Sequence, residues 1–145
     1  MRYIRVYEFS HEGGTKDYHL IQFVDDEDIQ GRGLVIKRFG PVGKAGQIKM
    51  KTELMTGWEV EQQIELEKSR RFRRGYNLAT CARLKDIDGF KRCGLQNLMW
   101  LNNARLMTAM IGWFGTPLTE DEKRISPKHF TPDETIDRGE VWGSW

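Results

Sequence analysis

Residues 33–51 read GLVIKRFGPVGKAGQIKMK. Two apolar-alternating runs, 34–39 and 47–51, flank a turn punctuated by Gly40, Pro41, Gly43 and Gly46. Glycine adopts positive φ without steric penalty and proline presets the turn, so the pattern predicts two strands and a connecting loop. Side chains alternate along a strand. Leu34, Ile36 and Arg38 therefore share one face, and Val35, Lys37 and Phe39 the other. In the second run Ile48 and Met50 point to the core, with Gln47, Lys49 and Lys51 outside. The stretch carries Lys37, Arg38, Lys44, Lys49 and Lys51 and no acid. A glycine-rich turn with that charge suits a phosphate chain, which backbone N–H groups and cations approach closely.

Working outward, 3–9 and 17–24 read as two further strands joined by the Ser10–Thr15 hairpin loop, giving about four antiparallel strands. Asp25, Asp26, Glu27 and Asp28 follow, but the calcium-loop spacing is missing, so this is a solvated acidic loop and no metal is expected. Thr56-Gly57-Trp58-Glu59 is a capping box opening a helix that Gly75 closes. The first half of that helix is acidic. Its end holds Lys68, Arg70, Arg71, Arg73 and Arg74, five cations within seven residues. The order complements the helix dipole, and Glu67 to Arg71 is a favourable i, i+4 pair. The arginine density exceeds what the dipole requires and suits phosphate.

Several of these segments resemble one known family, the WGR domain. The run Phe39-Gly40-Pro41-Val42-Gly43-Lys44-Ala45-Gly46-Gln47 is similar to its signature, a Trp-Gly-Arg tripeptide followed by a small apolar residue, Gly, two variable positions and Gly-Gln. Residues 16–23, KDYHLIQF, resemble the family's second strand, and Arg73-Arg74-Gly75-Tyr76 its helix end. The likeness covers about residues 2–77. Phe39 stands where the family has Trp, and Pro41 where it has Arg. The resemblance implies a DNA-binding module, because WGR domains of poly(ADP-ribose) polymerases contact DNA ends and 5′-phosphates through that Trp, that Arg and nearby cations. It makes Phe39 the stacking residue here, with Arg38 or Lys44 replacing the lost charge.

Beyond residue 77, 78–87 reads as a short helix and 95–111 as a long one. Leu95, Leu98, Met99, Leu106, Met110 and Trp113 fall on one face, widened by Trp100, Leu101, Met107, Ile111 and Phe114. Asn102 and Asn103 interrupt it. Two capping boxes, at 119–122 and 131–134, announce short helices, and Trp142 and Trp145 close the chain. Residues 1–116 carry 19 Lys/Arg against 14 Asp/Glu, whereas 117–145 carry 4 against 7. A basic body with an acidic tail results.

The expected architecture is α+β: a WGR-like antiparallel sheet covered by one helix (1–77), with an α-helical extension and acidic tail (78–145) packed on it. Two cysteines, Cys81 and Cys93, at no metal-ligand spacing imply free thiols in a reducing cytoplasm. The amino terminus lacks an apolar signal run. The three histidines are scattered, and neither a P-loop nor a dinucleotide fingerprint is present, so catalysis and cofactors are not expected. The expected function is non-catalytic DNA binding through Lys37, Arg38, Phe39, Lys44, Lys49, Lys51, Arg70, Arg71, Arg73 and Arg74. The alternative is a protein-interaction module using 95–114, with Trp100, Met107, Trp142 and Trp145 against a partner.

Overall fold

The computed structural model describes residues 1–50 and 53–115. Its elements are β1 (Arg2–His11), β2 (Lys16–Asp25), β3 (Leu34–Pro41), β4 (Gln47–Lys49), α1 (Gly57–Arg73), β5 (Tyr76–Leu84), 3-10 turns at Ile87–Arg92 and Met99–Asn102, and α2 (Ala104–Phe114). The strands form one antiparallel sheet in the order β4-β3-β2-β1-β5. The fold is α+β.

The sheet has five strands where four were expected, because 78–87 is not a helix. After Gly75 (φ +85°) ends α1, Tyr76 enters the sheet directly and β5 pairs along β1. The outer edge of β1 would otherwise leave a row of backbone groups without partners. Strand pairing therefore overrides local preference, with Ala82 and Leu84 turned inward. β5 runs through position 77/78, where the two regions of the sequence were divided.

Both faces of the sheet are covered. Val60 and Ile64 of α1 pack on Tyr7, Phe9, Tyr18, Leu20, Val35, Phe39 and Tyr76. On the opposite face, Phe90, Leu95, Trp100, Leu106, Met110 and Trp113 pack on Ile4, Val6, Ile21, Phe23, Leu34, Ile36, Ala82 and Leu84. The three central strands β1, β2 and β3 are therefore almost continuously buried, polar residues included. Ile48 and Met50 belong to the second core, as the alternation predicts.

The capping box forms as expected. Glu59 N–H donates to Thr56 Oγ1 at 3.2 Å, and Thr56 N–H to Glu59 Oε1 at 3.2 Å. The long helix expected over 95–111 begins only at Ala104. Asn103 is its N-cap, accepting from Leu106 N–H at 2.9 Å, which explains a polar residue inside an apolar run. Ahead of it the chain is pinned to the sheet at Gln96 and Asn97, whose N–H groups donate to Glu8. The end of α2 is tied down by Trp113, whose Nε1–H donates to Tyr3 O and Val24 O at 3.2 and 3.1 Å. No helix of the described residues is long and apolar enough to cross a membrane.

Candidate nucleic-acid interface

The glycine-rich turn is built around a buried cation. Arg38 is 0% exposed. Its Nε donates to Ala45 O at 3.0 Å, and Nη2 donates to Lys44 O at 2.6 Å and Pro41 O at 3.2 Å. Nη1 pairs with the Asp17 carboxylate and lies 3.3 Å from His19 Nδ1. Glycine is required where the turn folds back on this side chain. A methyl group at Gly40 would meet Gly46 Cα at 2.8 Å, and one at Gly46 (φ +67°) would lie 2.8 Å from Arg38 Nη2. Arg38 thus fixes the turn from within, and Lys44 stands exposed on its outside.

On the other face Glu67 is the collecting point. It accepts from Lys37 Nζ at 3.0 Å, Tyr18 Oη at 3.2 Å, Arg70 Nη1 at 3.3 Å and Gln63 Nε2 at 3.3 Å. The expected pairing of Glu67 with Arg71 gives way to these partners. Arg71 turns inward instead, its guanidinium 4.2 Å from the Tyr18 ring centre and 5.3 Å from that of Tyr76. Burial, reinforced by the Glu67 charge, pushes the Tyr18 phenol far above its ordinary range.

Four residues assigned to phosphate contact or stacking are therefore internal. Lys37 is 6% exposed, Arg38 and Phe39 are 0%, and Arg71 is 1%. The alternation was read correctly, but with two covered faces it carries both Lys37 and Arg38 into the protein. Buried cations need partners, and Glu67 and Asp17 are those partners for Lys37 and Arg38. Phe39 packs on Tyr18, ring centres 6.2 Å apart, so it is not a surface stacking residue. Of the remaining set, Lys44, Arg70, Arg73 and Arg74 are exposed and Lys49 is half-buried on β4; Lys51 lies outside the described residues. The partner-binding set changes likewise. Trp100 is fully buried and Met107 packs against the same core, while Trp142 and Trp145 lie outside the described residues.

The hairpin between β1 and β2 joins the two exposed basic segments. Val42 N–H of the turn donates to Thr15 O at 3.1 Å, and Lys16 pairs in register with Pro41. On the other side Glu12 N–H donates to Gly75 O at 2.8 Å, just beyond the end of α1. Lys44 and the Arg70–Arg73–Arg74 cluster thus gather at one end of the sheet, flanking one hairpin. Glu12 is there too, beside Gly75, so the end is not uniformly basic. The start of α1 sits at the opposite end, where Gly57 N–H donates to Gln30 O. Glu59 and Glu61 therefore lie toward the end that holds Asp26, Glu27 and Asp28, where the amino terminus, Arg32 and Arg83 pair with acids.

Between hairpin, glycine turn and the 96–97 segment lies a cavity of about 290 Å³, with Glu8 and Asp17 among its lining residues. Glu8 accepts from His19 Nε2 at 2.9 Å and from the N–H groups of Gln96 and Asn97 at 3.0 Å. Burial pushes the Glu8 carboxyl up, but these hydrogen bonds outweigh it and hold it below the ordinary value. His19 is pushed down, mainly by burial. The hydrogen bonds assign it the neutral form, with Nε2–H donating to Glu8 and Nδ1 accepting from Arg38. Asn97 Nδ2 donates to Asp17 Oδ2 and to Lys44 O, both at 3.1 Å. This network escaped the sequence reading. Its signal was a run of polar residues (Glu8, Asp17, His19, Arg38) at strand positions whose parity matches Ile4, Ile21 and Ile36.

No protein-family model matches this chain, and neither a curated protein nor a solved structure matches it.

Proposed function

We propose that this protein is a non-catalytic, cytoplasmic nucleic-acid-binding module of WGR type, and that its partner is DNA. Lys44, Arg70, Arg73 and Arg74 contact phosphates, and Lys49 extends the basic surface along β4. The observation that carries this reading is the convergence of the glycine turn and the arginine end of α1 on one hairpin. Two basic segments more than twenty residues apart in sequence then lie at one end of the sheet, the turn leaning on one face and α1 on the other. Both are open there to a polyanion, whose binding counterion release favours. The resemblance to WGR domains adds the expectation of DNA ends. With Phe39 buried and Pro41 lacking a guanidinium, contact here rests on phosphate charge rather than on the family's tripeptide.

The test is a charge reversal at the basic end, Lys44→Glu with Arg73→Glu and Arg74→Glu, against Glu61→Gln at the opposite end as control. Affinity for a 5′-phosphorylated duplex, followed by fluorescence anisotropy, is expected to fall at least about 100-fold in the first variant at low salt, since some three phosphate contacts are reversed. The control is expected to bind as well as the parent. Equal binding by both variants overturns the assignment of the surface.

A further inference from the structure

The cavity beside this basic end has the opposite electrical character, and that contrast identifies an occupant. Its floor is made by Glu8 and Asp17, whose side chains are 2% and 7% exposed. Arg38 and neutral His19 are the remaining ionisable groups packed against these carboxylates, so the floor has one negative charge more than positive. Lys16 lines the cavity together with Val42 and Gly43 of the turn, and exposed Lys44 is the next residue of that turn. A phosphate would be repelled from the floor and attracted to the mouth. The group that enters must offer hydrogen-bond donors.

Acceptor capacity remains on the floor. Each carboxylate oxygen offers about two lone-pair sites. Among the described residues, Asp17 Oδ2 receives only Asn97 Nδ2, and Glu8 Oε1 receives only Gln96 N–H. A volume of about 290 Å³ lies at the lower end of ligand sites and suits one flat ring system without its sugar and phosphate.

We infer that this cavity receives one unpaired nucleobase, guanine in preference to the others, while Lys16 and Lys44 hold the adjoining phosphate. The inference rests on the DNA-binding reading above and adds to it a base specificity. Guanine presents two adjacent donors, N1–H and N2–H, one for each open acceptor site, Asp17 Oδ2 and Glu8 Oε1, whereas thymine presents a single N–H. An extruded or terminal base is read by such Watson–Crick-edge contacts in a fitted pocket. The walls belong to the hairpin and to the Arg38-held turn, so the segments that carry the mouth cations also shape the pocket.

The experiment compares short 5′-phosphorylated duplexes ending in one unpaired guanine, hypoxanthine or thymine, each titrated against the full chain. Guanine is expected to bind about tenfold tighter than thymine, the worth of one further hydrogen bond to a carboxylate. Hypoxanthine, which lacks the 2-amino group, is expected between them. Ser10→Phe places a ring in the cavity without touching the bonds of Glu8, Asp17 or Arg38. It is expected to abolish the preference while leaving the thymine affinity and its salt dependence intact. Asp17→Asn is expected to lose the preference as well. If it unfolds, which the loss of the Arg38 partner makes visible in circular dichroism, Ser10→Phe decides alone. Equal affinity for all three duplexes, or a preference that survives Ser10→Phe, overturns the inference and leaves the basic interface standing. Failure of every duplex to bind at low salt overturns the interface and the pocket together.

Discussion

Replacing Arg38 by Met separates the structural account of this side chain from a phosphate-binding one. The guanidinium makes an ion pair with Asp17 and hydrogen bonds to Pro41 O, Lys44 O and Ala45 O. Methionine fills similar volume but leaves the Asp17 carboxylate buried with Asn97 as its remaining side-chain partner. Breaking a buried pair from one side costs about 3–5 kcal/mol. The three carbonyls belong to exposed turn residues, so water replaces their lost bonds at about 0.5 kcal/mol each. The total is about 4.5–6.5 kcal/mol, a large part of the roughly 5–15 kcal/mol available to a domain. In urea, with a slope of about 2 kcal/mol per molar, the midpoint followed by tryptophan fluorescence is expected to fall by about 2–3 M. Arg38→Lys keeps a charge for Asp17 but loses the fork and should fall between parent and Met. The double variant Asp17→Asn with Arg38→Met should be more stable than the sum of the singles, since neither buried charge is then left alone. A midpoint within about 0.5 M of the parent, or strict additivity in the double variant, refutes the reasoning and returns Arg38 to the surface.

Two further outcomes follow from the buried polar groups. Glu67→Gln removes the carboxylate shared by Lys37, Arg70 and Tyr18, and should lower stability by about 3 kcal/mol. In a chain of this size that is roughly 6–12 °C in the melting temperature by calorimetry. Acid should destabilise in two stages. His19, held below its ordinary 6.5, is neutral when folded, so the unfolded chain gains the proton first and stability falls as pH drops below about 6.5. Glu8, held below its ordinary 4.5, adds stability above that value that is lost as pH falls through its lower folded value. Melting temperature measured from pH 8 to pH 4 should be level above about 7 and then decline. His19→Gln should remove the upper stage only.

The sequence revealed local features more fully than the way they stack. Strands β1 to β4, the Thr56 cap, the Gly75 stop and the inward set of Ile48 and Met50 follow from periodicity and turn chemistry, which act over a few residues. Tyr76–Leu84 failed because its strand character comes from β1, which lies some seventy residues earlier and whose edge it completes. Asn103 carried an N-cap signal that the surrounding apolar run masked. The basic site was half legible. Lys44, Arg70, Arg73 and Arg74 are exposed, but Lys37, Arg38, Phe39 and Arg71, assigned to DNA contact, lie inside, because both sheet faces are covered and Arg71 turns toward Tyr18 and Tyr76 beneath α1. Burial of a cation is decided by a partner far along the chain, Asp17 for Arg38 and Glu67 for Lys37, and spacing within one segment says nothing of it.

The central claim is that the basic end holds phosphates, and salt dependence of binding tests it most directly. For the parent protein and a 5′-phosphorylated duplex, about four phosphate contacts predict a log–log slope of about −3 to −4 with salt, a loss of roughly 100-fold between 50 and 200 mM. A slope in that range, reduced in the Lys44, Arg73 and Arg74 reversal variant, is the predicted result. Binding that is flat across the salt range, or absent at 50 mM, contradicts the account.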